Sequence, residues 1–232
     1  MPGSGVVREV AGSEPRDVEG AAGGGADRLH LAVPGPTCGL SPEPSVVSGV
    51  CRESDLPVFV RLRLNDSWTT TGGEFARLVG LAEDYLGCGA TGVALGFLDS
   101  DLEIDAETCG MLLERIPHVP WTFTRAIDSS LDPRRSWRRL RDLPRLVAVR
   151  SAGSPRGMEV GYDDLLAAVT PETAPLVMPG GGLAAEHVPW LLKAGVRQLH
   201  LGGQVRPGGS ARAYVDATYV RSWRTLVDDA VR

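Results

Sequence analysis

The sequence predicts a single (β/α)8, or TIM, barrel, and three observations carry that expectation. Short β-branched runs alternate with longer amphipathic stretches, the order expected of a parallel sheet wrapped by helices. Eight such pairs fit within 232 residues, slightly under the roughly 250 typical of this barrel, so a shortened form is expected. No glycine fingerprint for a dinucleotide follows the first strand, which favours the closed barrel over an open doubly wound sheet.

Strands are expected at 6–10, 28–32, 58–62, 92–96, 121–124, 146–150, 175–178 and 198–201. The helices between and after them are expected at 16–23, 45–53, 74–86, 106–116, 133–140, 162–169, 184–193 and 214–230. Gly23, Gly24 and Gly25 close the first helix rather than open it. The segment 33–44 is rich in Pro and Gly but sits between a strand and its helix, so it reads as a βα loop. Gly87 and Gly195 suit left-handed C-caps, where a missing Cβ removes the steric penalty. Asp105 and Asp132 suit N-caps, the latter followed by Pro133 at the favoured first helical position. Trimmed turns are expected around the fifth and sixth helices. The last helix places Val215, Tyr219, Trp223, Leu226 and Ala230 on one apolar stripe facing the barrel exterior. No linker divides the chain, so residues 1–232 form one domain.

Composition narrows the function. With 43% hydrophobic and 23% charged residues and a mean hydropathy of −0.04, the chain is neither disordered nor fibrous. It contains no apolar run long enough for a membrane span and no export segment at its start, so a cytoplasmic protein without a membrane partner is expected. The net charge of −5 argues against nucleic acid, whose affinity rests on a basic face. Cys38, Cys51, Cys88 and Cys109 follow no metal-finger spacing and read as reduced thiols.

In this fold the working face lies at the C-terminal ends of the strands. Two glycine-dense loops fall there, with Gly181 and Gly182 after the seventh strand and Gly202 and Gly203 after the eighth. Bare backbone amides at such loops suit a phosphate or carboxylate. Arg61, Arg63 and Arg125 at strand ends would clamp the same small anionic ligand, because the guanidinium fork matches both groups. Glu9, His30, Asp128 and His200 are the candidates for acid or base catalysis, and mutual pairing in a structural network is the alternative for them. His118 falls on the opposite face, and His187 lies where it would only assist an anion. Cys38, in the loop after the second strand, and His200 are candidate ligands for copper(I), which prefers thiolate and imidazole.

Several segments taken in order resemble the CutC family. Gly24-Gly25-Ala26-Asp27-Arg28-Leu29 is similar to its GGADRIEL segment, and Cys38-Gly39-Leu40-Ser41-Pro42 to its GGLTPS loop. Pro57 to Arg63 resembles its PV-x-VMIRPR strand, Gly89 to Gly96 its GADGVVFG, and Leu102 to Asp105 its GEID. Thr122 to Asp128 resembles TFHRAFD, Met178 to Gly182 MPGGG, and Gln198-Leu199-His200 EFH, so the likeness runs from about residue 8 to residue 230. The resemblance implies a TIM barrel, a cytoplasmic location, a role in copper homeostasis with copper binding, and a homo-oligomer of two or more chains. Three positions depart from the family: Ala11 and Ala32 stand where it has cysteine, and Thr124 where it has histidine. His30 likewise replaces a carboxylate, and Cys38 is the remaining thiol on the working face. The expected function is therefore a CutC-like protein of copper homeostasis with a small-anion site at the barrel mouth. An enzyme acting on a phosphorylated or carboxylated small molecule, and a non-catalytic binding scaffold, are the alternatives.

Overall fold

The computed structural model describes residues 5–35 and 39–232, so Cys38 lies outside the described residues. Eight strands follow one another in chain order: β1 (Val7–Gly12), β2 (Arg28–Leu31), β3 (Val58–Arg61), β4 (Gly92–Leu95), β5 (Trp121–Phe123), β6 (Leu146–Ser151), β7 (Val177–Pro179) and β8 (Gln198–Leu201). The helices are α1 (Arg16–Gly24), α2 (Pro44–Glu53), α3 (Gly72–Gly87), α4 (Ala106–Arg115), α5 (Pro133–Arg141), α6 (Met158–Ala168), α7 (Val188–Lys193) and α8 (Ala217–Val231). All pairings between these eight strands are parallel and the sheet runs β7-β6-β5-β4-β3-β2-β1-β8, a nearly closed barrel.

Among the described residues no backbone ladder joins β7 to β8. Side chains cross that seam instead. The Gln198 amide on β8 donates to Val147 O at 2.8 Å and Pro175 O at 2.9 Å, and Gln204 donates to Leu183 O at 2.9 Å.

Strand register sorts the side chains onto two faces, because alternate residues point oppositely. Leu29, Leu31, Val60, Val93 and Leu95 fall on the outer face and join the apolar core beneath the helices. Glu9, Arg28, His30, Arg61, Arg150 and His200 fall on the inner face. The termini are tied together by α1 lying on α8. A Cβ on Gly24 would stand 2.4 Å from Val220 Cβ, so glycine there permits the helices to touch.

The strands begin or end within two residues of the expected positions, and Asp105 and Asp132 cap α4 and α5 through bonds from Thr108 N and Arg135 N, both 2.9 Å. Four expectations are corrected. The left-handed residue after α3 is Gly89 (φ 100°) rather than Gly87, since the helix continues one residue further before Cys88. Helix α6 starts at Met158, four residues early, where Met158 N donates to Gly181 O at 2.9 Å. The shortest helix is α7, with six residues after a 3-10 turn at Ala185–His187, whereas α5 and α6 have nine and eleven. Val215, just before α8, is buried and Trp223, Leu226 and Ala230 pack half-buried against the core as expected, but Tyr219 is 42% exposed and the fully buried residues of the helix are Val220 and Val227, so the stripe is wider than expected and omits Tyr219. No helix among the described residues is long and apolar enough to cross a membrane.

Candidate ligand site at the barrel mouth

The centre of the barrel is charged. Glu9 is fully buried, and its Oε2 accepts from Arg28 Nε at 2.8 Å. Its Oε1 is shared by Arg150 Nη2 at 2.6 Å and His200 Nδ1 at 2.8 Å. Burial alone would raise this carboxyl, but Arg150 and Arg28, joined by His200, hold it well below the ordinary carboxylate range. Arg28 also lies 4.4 Å from the centre of the Phe59 ring, which shields its other face. Arg61 is wholly buried with Nη2 3.4 Å from His30 Nε2, and His30 and His200 meet edge to face with centroids 5.6 Å apart. Both imidazoles are kept neutral. Burial and then Arg150 push His200 down to about 4, with Glu9 opposing, and burial with Arg150 and Arg61 holds His30 well below its usual value.

Above this layer opens a cavity of about 620 Å³, within the range of small-molecule sites. Its wall includes His30, His200, Arg125, Arg150, Arg206 and the four glycines Gly181, Gly182, Gly202 and Gly203. Gly181 and Gly182 have φ of 87° and 98°, and a Cβ on Gly181 would lie 2.7 Å from Arg125 Nη1. Only glycine lets this loop wrap the guanidinium. Each lining arginine is anchored from behind by a carboxylate that does not reach the cavity. Arg125 Nε donates to Asp128 at 2.7 Å, Arg150 to Glu9, and Arg206 to both oxygens of Asp17 at 3.1 and 2.9 Å. Asp17 is in turn held by Ser13 N and Val215 N, and these bonds with Arg206 outweigh burial to lower its pKa.

The structure thus brings together Arg125, His30, His200 and both glycine loops around one cavity, with Glu9 and Arg61 directly beside the two imidazoles. Asp128 stands behind Arg125, its oxygens accepting from Ser151 Oγ at 2.6 Å and Ala152 N at 3.0 and 3.1 Å. Burial raises its pKa against those bonds. Arg63 is turned away, donating to Ser67 O at 3.1 Å and lying 4.0 Å from the Trp68 ring centre. His187 stacks on Tyr162 with centroids 4.1 Å apart. Arg28, Arg150, Arg206 and Asp17 were not singled out by sequence. Arg150 carries the available signal, a strand-end arginine on β6 like those of β3, whereas the Arg206–Asp17 pair joins positions 189 apart and leaves no local trace.

The CutC family model matches residues 6–205. A family protein CutC of Klebsiella pneumoniae (strain 342) is 30% identical over 178 residues, covering 76% of this chain and 71% of the relative. A second, from Klebsiella pneumoniae subsp. pneumoniae, is 29% identical over 86% of this chain and 84% of its own. Among solved structures, the one named for the copper homeostasis protein CutC of Streptococcus agalactiae superposes with a TM-score of 0.74 at 22% identity, covering 85% of this chain and 98% of that one. A thiamine phosphate pyrophosphorylase from Pyrococcus furiosus superposes at 0.61 with 18% identity, covering 99% and 98%, a likeness of fold alone. An eight-stranded barrel matched by one family model over most of its length, and by relatives of that same name, places this chain in the CutC family.

Proposed function

We propose that the mouth cavity binds a small anionic metabolite through a carboxylate or phosphate group. The observation that carries this reading is the makeup of the wall: three arginines and two histidines line the cavity, and no aspartate or glutamate does among the described residues. The carboxylates that anchor the arginines sit behind them, so the charged side chains that line the cavity itself are all basic. The glycine loops after β7 and β8 add backbone amides at the position where barrels of this kind take phosphate.

For copper(I), the ligand the resemblance implies, Cys38 lies outside the described residues, which leaves His200 as the described candidate of the expected pair. No group of three His, Cys, Asp or Glu among the described residues could hold a metal ion. The two imidazoles of the mouth also stand beside Arg61 and Arg150, whose charge opposes a cation. The test of the anion reading is thermal stabilisation by millimolar phosphate, sulfate and citrate, compared between the native protein and Arg125→Gln. Stabilisation that falls about tenfold in apparent affinity in the variant supports the site. Absence of any shift with all three anions overturns it.

A further inference from the structure

Resting on that anion site, we infer that the ligand is a phosphate monoester and that His200 takes the ligand's proton, its imidazole held by Glu9 in the one tautomer that leaves Nε2 open to the cavity. The tautomer follows from the bonding around Glu9. That carboxylate accepts from Arg28 and Arg150, which only donate, so it is ionised and has acceptor capacity alone to offer His200. His200 Nδ1, 2.8 Å away, must therefore carry the hydrogen. Nε2 is left with its lone pair, and no hydrogen bond from the described residues occupies it. His200 is part of the cavity wall.

Choice of ligand follows from proton supply. A carboxylic acid has already lost its proton at neutral pH, while a phosphate monoester has a second dissociation near 6 and arrives partly as the monoanion. On transfer, the ligand's O–H bond breaks with its electron pair kept by oxygen, and the proton forms the Nε2–H bond. The products are a phosphate dianion and an imidazolium whose two N–H groups face the dianion and Glu9. No further reactant is needed. The groups facing His200 are Glu9 on β1, Arg28 and His30 on β2, Arg61 on β3, Arg150 on β6, Arg125 after β5 and Arg206 after β8. Glu9 is the only acid in that set, so the free cavity repels a proton and a bound dianion reverses the local field. In the free protein burial and Arg150 therefore hold His200 neutral at pH 7.

Nitrogen NMR of protein labelled at its four histidines, titrated with inorganic phosphate at pH 6, tests this directly, with His200→Gln identifying the signal. The expected result is a neutral Nδ1–H ring in the free protein that becomes imidazolium on saturation with phosphate. Glu9→Gln should mix the two tautomers, an effect that loss of packing does not produce. Phosphate binding, registered as thermal stabilisation, with a ring that stays neutral overturns the inference and leaves the anion site standing. An Nε2–H tautomer in the free protein also overturns it. Failure of phosphate to stabilise the protein or move any signal removes the anion site and this inference together.

Discussion

The two faces of the same eight strands are built on opposite chemistry. The outer face carries Leu and Val, covered by helices and held by loss of water from apolar surface. The inner face carries Glu9, Arg28, Arg61, Arg150, His30 and His200, all within a tenth of full burial. Both are densely packed, yet they fail differently. Trimming the outer face costs the transfer and cavity terms of one side chain, whereas removing one member of the inner network strands the others with unbalanced charge. Stability is therefore supplied mainly from outside the sheet, and the inside is given over to a polar arrangement whose use lies at the mouth.

The sharpest way to break this contrast is Glu9→Gln. Arg28 and Arg150 would lose their carboxylate, and a destabilisation of about 4 kcal/mol is expected from urea unfolding. Leu31→Ala, at a fully buried outer position, should cost about 3 kcal/mol by the same measurement. A larger loss at Leu31 than at Glu9 would invert the comparison. Acid sharpens it further, because His200, His30 and Glu9 all lie on the inner face. His200 is neutral in the folded barrel down to about 4 but takes a proton near 6.5 when unfolded, so the unfolded chain binds more protons between those values. Stability is complete above about 6.5 and falls as pH drops, by about 2 kcal/mol between pH 7 and pH 5 from this residue alone. His30 acts with the same sign, and Glu9, ionised well below its usual range, extends the loss to lower pH. Urea midpoints at pH 7 and pH 5 check the direction. The smallest effect belongs to neither face: Asp105→Ala removes the caps to Thr108 N and Thr108 Oγ1 of α4 and should cost about 1 kcal/mol.

The barrel was legible because periodicity is local. Runs such as Val58–Arg61 and Gly92–Leu95 announce themselves within a few residues, and alternation then tells which side each residue faces. Alternation sets Arg61 and Arg63 on one face and aims His30 and His200 into the mouth, while Glu9 is found on the inner face by its register with Arg28 and His200. It could not tell that Arg63, on the same face as Arg61 but past the strand end, turns onto Trp68. Nor could it see that Asp128 serves Arg125 from behind, because that depends on Ser151 and Ala152 of the following strand and its loop. Helix limits slipped where capping came from tertiary contacts, as at Met158 bonding Gly181 O. The Arg206–Asp17 pair joins opposite ends of the chain and is a product of closure itself.

The missing ladder between β7 and β8 acquires a different meaning once the loops above it are considered. Gly181 and Gly182 extend from one side of that gap, and Gly202 and Gly203 from the other. A ligand seated on both loops would supply the rung that the backbone omits. Occupancy would then act as a clasp, making recognition of the ligand and completion of the ring a single event.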